Sequence, residues 1–242
     1  MGEAKRRKQT GAPSASKSGN RPFFIAVGIL AAIAVLAGIY LLTAPPAPSS
    51  DELPVADPGA EPFPQQLDQF GVSIGPEDAP VVVREFADYQ CPACGRFFSA
   101  TERLKKEYVE SGQVRFVYFD LPLQQHKNAM PAALAARCAG DQNAYWPMHN
   151  KLFASQSEWS DADDAVAVFT RYAGDLGLEE RRFQTCMTTE LHREEVEQSR
   201  RVAIQLRVTS TPTVMVDNIR LTRPGWAQMS AVVDRELNSQ AE

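Results

Sequence analysis

The stretch Glu85-Phe86-Ala87-Asp88-Tyr89-Gln90-Cys91-Pro92-Ala93-Cys94 decides how the chain folds. A run of valines at residues 81–83 precedes it, and such a β-branched run is typical of a buried strand. After the second cysteine, side chains recur at helical spacing at Phe97, Thr101, Leu104 and Tyr108. The pattern predicts a strand that ends just before the cysteines and a helix that begins at them.

The position of the two cysteines predicts their chemistry. The first turn of a helix has unpaired N–H groups and the positive end of the helix dipole, so a cysteine there is stabilised as its thiolate. A thiolate is the nucleophile of disulfide exchange, and Pro92 fits the first helical turn because its missing N–H costs nothing there. The alternative is half of a zinc site. Zinc usually takes four ligands, and Cys138 and Cys186 stand alone, so a redox pair without a metal is favoured.

Composition and charge restrict the class of protein. The 242 residues, of which 44% are hydrophobic, suffice for one sizeable domain with appendages. Residues 1–22 carry six basic side chains and one acidic, a net charge of +5, so the total of −5 leaves −10 for the rest of the chain. Because the basic cluster lies in this tail, the charge pattern argues against a nucleic-acid surface.

An uncharged run of 20 residues, 23–42, follows the tail. A helix of that length spans about 30 Å of hydrocarbon, so residues 23–43 are predicted as an uncleaved, single-pass membrane anchor. The alternative is a cleaved signal peptide, but the apolar part of such peptides is shorter, and Pro45 and Pro46 make a poor processing site. The basic tail predicts a cytoplasmic N-terminus. The rest of the chain would then lie outside the cytoplasmic (inner) membrane, in the periplasm or extracellular space, where disulfides form.

The remaining chain is predicted as a linker and one domain. Residues 44–69 are assigned to an extended linker, since seven prolines lie among residues 44–64. The domain covers residues 70–242, with a strand at 113–119 completing a strand–helix–strand unit. Residues 121–208 are predicted as an inserted helical subdomain, with helices at 129–139, 145–154, 180–187 and 189–207 and one more capped by Ser160. Strands at 213–216 and 219–222 and a helix at 226–237 close the domain.

Three motifs stand out together: the run at residues 85–94, the Thr211-Pro212-Thr213 step, and Ala-Arg-Cys-Ala-Gly-Asp-Gln at residues 136–142. They resemble the motifs of the DsbA-type thiol-disulfide oxidoreductases, in particular their membrane-anchored branch, over residues 70–240. The resemblance implies an α/β, thioredoxin-like fold with an inserted helical subdomain, here preceded by a single N-terminal transmembrane helix.

The resemblance implies roles for the cysteine pair. Cys91 matches the nucleophilic cysteine of the family and Cys94 the resolving one, so the redox-active disulfide between them is the only cofactor implied. The best-known oxidases of the family have histidine before the second cysteine, where this chain has Ala93. We therefore expect a reduction potential between those of thioredoxin, about −270 mV, and DsbA, about −120 mV.

The resemblance also implies a substrate groove. Pro212 matches the cis-proline that faces the cysteine pair, and the backbone of Thr211 would pair with an extended substrate segment, with Pro92 and Ala93 beside it. From the residues alone, an ordinary turn entering a strand is the alternative for Thr211 and Pro212.

Glu85 matches a buried acid that the family places beneath the resolving cysteine. A buried carboxylate has a raised pKa and could exchange a proton with Cys94. The alternative is a surface charge on a strand edge.

Cys138 and Cys186 lie in two separate predicted helices, and an even number of cysteines outside the cytoplasm favours a disulfide. Two buried free thiols are the alternative. Similar cysteines in anchored members of the family support a structural disulfide.

Together, these observations predict an enzyme that introduces or exchanges disulfides in exported proteins. Its expected partners are reduced or unfolded exported proteins and a quinone-linked membrane thiol oxidase, either DsbB-like or similar to vitamin K epoxide reductase. The alternatives are a disulfide isomerase, a reductase, or a redox-inactive chaperone or binding module.

Overall fold

The computed structural model describes residues 52–56, 58–59 and 61–240, together with the isolated residues Ile33 and Leu36. The predicted basic tail and the start of the linker lie outside the described residues. Of the predicted anchor, only Ile33 and Leu36 are described, and both are helical and exposed. Among the described residues, no helix combines the length and the hydropathy that a bilayer crossing requires.

The core of the domain is a five-stranded sheet. Its strands are β1 (Val72–Ile74), β2 (Val81–Ala87), β3 (Val114–Asp120), β4 (Thr213–Val216) and β5 (Ile219–Arg220). They lie in the order β1-β3-β2-β4-β5, with β2 and β3 parallel and the other neighbouring pairs antiparallel. β2 is the central strand and is buried almost throughout, as expected of a strand covered on both faces. The cysteine motif follows the end of this strand directly.

Helices cover the sheet. α1 (Pro92–Leu104), extended by a π-helical turn at Lys105–Val109, connects β2 to β3, as the strand–helix–strand pattern predicts. Between β3 and β4, a stretch that is described in full, lie six further helices: α2 (Ala129–Gly140), α3 (Tyr145–Ala154), α4 (Gln156–Trp159), α5 (Ala165–Asp175), α6 (Glu180–Thr188) and α7 (Arg193–Gln205). α8 (Trp226–Ser239) closes the domain. The helical subdomain is therefore an insertion between two strands of one sheet.

The predicted cap at Ser160 is wrong. The Ser160 hydroxyl donates a hydrogen bond to the Gln156 carbonyl, 2.6 Å away, within the preceding helix. α5 is capped instead by Asp164, whose carboxylate accepts a hydrogen bond from the Ala167 N–H at 3.0 Å. Serine and aspartate are both good caps, and several of them lie close together here, so local sequence could not choose between them.

The long helix predicted at residues 189–207 is shorter in the structure. Thr189 ends α6, and Glu190 adopts a left-handed φ of 49°, which interrupts the helical path before α7 begins. Arg207, with a φ of 54°, lies beyond the end of α7.

The folded domain begins before residue 70, so the predicted end of the linker is wrong. A 3-10 helix spans Gln65–Phe70, and Phe63 and Leu67 are buried against the sheet. Asp68 forms a buried ion pair with Arg84 of β2 at 2.7 Å, and the Arg84 guanidinium lies 3.9 Å from the centre of the Phe63 ring. The prolines of this segment suggested an extended linker, whereas its few apolar side chains and one carboxylate find partners that only the folded sheet provides.

Candidate active site

Cys91 is the N-cap residue of α1, and Pro92 occupies the first helical position. Cys91 has an extended backbone, with a φ of −69° and a ψ of 121°, so the helical conformation begins only after this residue. Cys94 lies in the first turn and is fully buried, whereas Cys91 keeps 8% of its surface exposed. The exposure differs in the order expected of a nucleophilic and a resolving cysteine.

The surroundings of Cys91 stabilise its thiolate. A hydrogen bond from the Cys94 thiol is the largest influence, and the backbone N–H groups of Ala93 and Cys94 add to it. Burial opposes ionisation, yet together with the nearby Thr211 side chain these donors lower the pKa of the Cys91 thiol to about 5. In its thiol form, Cys91 can donate to the Thr211 carbonyl, 3.7 Å from its Sγ.

Cys94 behaves in the opposite way. Burial raises the pKa of its thiol well above the usual value, and the hydrogen bond to Cys91 and the nearby Glu85 charge raise it further. The pair therefore holds one thiolate and one thiol near neutral pH, with the negative charge on Cys91.

Glu85 is buried on β2, not exposed at a strand edge. Burial raises the pKa of its carboxyl to about 7, while the Thr101 hydroxyl, which donates to Oε2 at 2.8 Å, and the Lys105 charge oppose the shift. A carboxyl with this pKa gains and loses its proton near neutral pH. Its charge contributes to the raised pKa of the Cys94 thiol.

The predicted groove residues lie around the cysteine pair. The Thr211–Pro212 peptide bond is cis. Pro212 and Ala93 line a cleft of 340 Å³, which Trp226 and Arg96 also border. Thr211 faces Cys91, and Pro92 is exposed beside it.

The structure adds polar residues that the sequence analysis did not single out. The carboxylate of Asp88 accepts hydrogen bonds from the N–H groups of Gln90, at 2.7 Å, and Leu123, at 2.8 Å. Nδ1 of His126 lies 2.7 Å from the same carboxylate. Burial raises the pKa of Asp88, and these contacts oppose the shift. Asp88 thus holds the loop before Cys91 against the start of the helical insertion.

Cys138 of α2 and Cys186 of α6 form a disulfide with an S–S distance of 1.98 Å. His192 lies close to both sulfur atoms, and in the described part of the chain these three residues form the one group that could hold a metal ion. Because both sulfur atoms are bonded to each other, they offer no thiolate to a metal.

The reactive cysteine pair at the start of a helix and the cis-proline beside it, set on this sheet, define a thiol-disulfide oxidoreductase. The family model described as "Thioredoxin" matches residues 68–235, and the chain belongs to this family. The predicted relationship to DsbA-type oxidoreductases is confirmed for the fold and the enzyme class.

The relatives that match the chain are named as two different kinds of protein. The probable disulfide bond formation protein D of Bacillus anthracis is 29% identical over 227 residues, which cover 91% of this chain and 99% of the relative. The Na(+)/H(+) antiporter NhaA 3 of Salinispora tropica is 37% identical over 147 residues, or 60% of this chain, but the chain spans only 21% of that antiporter's length. The crystal structure of oxidised BdbD from Bacillus subtilis has the same fold, with a TM-score of 0.65, 23% identity, and coverage of 77% of this chain and all of that chain.

Proposed function

We propose that the protein introduces or exchanges disulfides in exported proteins while anchored outside the cytoplasmic membrane. The observation that carries the proposal is the opposite shift of the two thiol pKa values, downward for Cys91 and upward for Cys94. This shift makes Cys91 a good leaving group and leaves Cys94 protonated when it is released.

The chemistry follows from this arrangement. A substrate thiolate attacks Sγ of Cys91 in the oxidised pair, the Cys91–Cys94 bond breaks, and Cys94 leaves and takes up a proton, for which Glu85 is the nearby donor. A second substrate thiolate then attacks the substrate sulfur of the mixed disulfide, and Cys91 leaves as a stabilised thiolate. The substrate dithiol loses two electrons and two protons. The cysteine pair gains both electrons and one proton, which is on Cys94, and the other proton goes to the solvent because Cys91 remains a thiolate.

The lowered pKa of Cys91 predicts an oxidising pair. A thiol with a pKa of about 5 stabilises the reduced form at pH 7 by roughly 2 kcal/mol more than the thioredoxin cysteine, whose pKa is about 7. At about 30 mV per 1.4 kcal/mol, this difference raises the reduction potential by roughly 50 mV above the thioredoxin value, to about −220 mV. Equilibration of the pair with glutathione at fixed ratios measures it. A potential at or below about −270 mV would contradict the proposal and favour the reductase alternative.

The anchor and location are part of the proposal. The uncharged run at residues 23–42 and the basic tail before it support a single span with residues 70–242 outside. On cell fractionation, the full chain should remain with the membranes, and protease added to spheroplasts should digest the domain. A soluble form that begins near residue 45 would show instead that the segment is cleaved. In this location the reduced pair would return its electrons to a quinone-linked membrane thiol oxidase.

Replacing Glu85 with glutamine should change how stability depends on pH. In the folded protein the pKa of Glu85 is about 7, compared with 4.5 ordinarily, so as pH rises the unfolded chain loses this proton first. The native state therefore loses stability between about pH 4.5 and 7, and the loss persists above pH 7. Glu85→Gln should be more stable than wild type at pH 8 by up to about 3 kcal/mol and equal to it at pH 4.

Urea unfolding at the two pH values measures this difference. Glu110→Gln, at an exposed glutamate just after the π-helical turn that follows α1, is the matched control and should show no such difference. Equal stabilities of Glu85→Gln and wild type at both pH values would mean that Glu85 is not a buried proton-binding group.

A further inference from the structure

Gln156, at the start of α4, connects the helical insertion to the loop of residues 88–91 between β2 and α1, called the catalytic loop below. Its side-chain Nε2 donates one hydrogen bond to the Tyr89 carbonyl at 2.6 Å and another to the Cys91 carbonyl at 2.9 Å. Both partners are acceptors, so the orientation of the amide is determined, because its oxygen at this position would face two carbonyl oxygens. One amide group thus holds two residues of this loop, Tyr89 and the reactive Cys91.

Gly95 makes room for this contact. A Cβ atom built on Gly95 would lie 2.5 Å from Oε1 of Gln156 and 3.0 Å from its Cδ. The φ of Gly95 is not in the left-handed region, so backbone conformation does not require a glycine here. The N–H of Gly95 also donates to the Cys91 carbonyl at 3.0 Å. The residue after the second cysteine is therefore small because the Gln156 amide lies over it.

Other hydrogen bonds also tie the loop to the insertion, but not at Cys91. Gln90 donates from Nε2 to the Ser160 carbonyl at 2.7 Å, and its Oε1 accepts from the Asn128 N–H at 2.7 Å. Among the described residues outside α1, Gln156 is the one whose side chain hydrogen-bonds the backbone of Cys91.

We propose that Gln156 is a positioning residue for disulfide exchange, which holds Cys91 so that its sulfur stays against the N–H groups at the start of α1. The inference deepens the proposed function and rests on it. Without the amide, the φ and ψ angles of residues 89–91 are less constrained, and the sulfur loses its alignment with the donors that stabilise the thiolate. The insertion thereby controls the reactivity of the cysteine pair through one side chain that never touches the sulfur.

The first test removes the donor group. Gln156→Met keeps the length of the side chain but has no N–H group. Gln142→Met is the matched control, because the side chain of Gln142 hydrogen-bonds the backbone of Glu179 and not that of the catalytic loop. Ultraviolet absorbance of the thiolate during a pH titration reports the pKa of Cys91, and stopped-flow mixing with an oxidised peptide reports the exchange rate. For Gln156→Met we expect the pKa of Cys91 to rise by about one unit and the rate at pH 6 to fall about tenfold. The control should match wild type.

The second test displaces the amide without removing it. The methyl group of Gly95→Ala should push the Gln156 side chain away, so this variant should show the same rise in the Cys91 pKa. The double variant Gly95→Ala/Gln156→Met should be no worse than Gln156→Met alone, because both changes break one contact.

Three outcomes would overturn the proposal. They are a wild-type pKa of Cys91 in Gln156→Met, additive effects in the double variant, or an equal effect of Gln142→Met. The pKa titration needs no substrate. If the wild-type protein failed to exchange disulfides, the proposed function would fail while the positioning role would still be decided by the titration.

Discussion

Cys94→Ala should accumulate mixed disulfides with client proteins, and Cys91→Ala should trap almost none. The reason is the division of roles within the pair: Cys91 carries the thiolate, with a pKa lowered to about 5, and Cys94 is buried with a raised pKa. Without Cys94, Cys91 still forms the mixed disulfide, but no second thiol of the protein resolves it. Non-reducing gels of cells that express each variant, with client bands identified by mass spectrometry, measure the trapping.

The pH dependence of Cys91 alkylation gives a further check on the two roles. Alkylation of Cys91 in the Cys94→Ala variant should remain fast well below pH 8.5, the ordinary pKa of a free cysteine, because the helix N–H groups and the nearby Thr211 side chain still stabilise the thiolate. The lost Cys94 thiol is its largest stabilising contact, so the pKa in this variant should lie above that of wild type. If Cys91→Ala traps clients and Cys94→Ala does not, the two roles are reversed.

Loss of the Cys138–Cys186 disulfide should lower the free energy of unfolding by about 4 kcal/mol and leave disulfide exchange at Cys91 intact. The Cys138–Cys186 disulfide closes a loop with a sequence separation of 48, and a loop of that length constrains the unfolded chain by about this amount in the chain-entropy model. The double variant Cys138→Ala/Cys186→Ala is preferable to either single change, since it leaves no lone thiol to react. Denaturant unfolding measures the loss, and insulin reduction or peptide oxidation measures the activity.

A different outcome would change the interpretation of this disulfide. If the double variant kept its stability but lost exchange activity, the disulfide would take part in the redox chemistry. The adjacent His192 would then be the first residue to test, since it lies close to both sulfur atoms.

Local sequence was sufficient where one element determines the geometry. The valine run and the helical spacing after Cys94 predict β2 and α1, and a cysteine at a helix start needs no distant partner to ionise. The predicted second strand, at 113–119, lies within one residue of β3. Glu85 could be suggested only from family resemblance, because its burial depends on helices that cover the sheet.

Sequence failed where a side chain's partner is distant along the chain. Arg84 looks like an ordinary strand residue until the chain folds Asp68 and Phe63 onto it. Gln156 belongs to no motif, and nothing local distinguishes it from other helical glutamines, since its two acceptors lie in the catalytic loop. Gly95 was the one local sign in the sequence that a side chain such as Gln156 lies close to α1. A glycine inside a helix is unfavourable, so its presence after the cysteines pointed to a close neighbour.

The buried pair between Arg84 and Asp68 decides where a soluble form of this protein can begin. A variant that begins at residue 70 would lack the Asp68 carboxylate and the Phe63 ring. The guanidinium of Arg84, on β2, would then be buried without its carboxylate partner Asp68. Stripping one partner from such a pair typically costs about 3–5 kcal/mol, a large share of the stability of a domain this size. Expression vectors should therefore keep the chain from residue 61 onward. The segment that resembles a linker in sequence packs against the sheet and supplies the partner of Arg84.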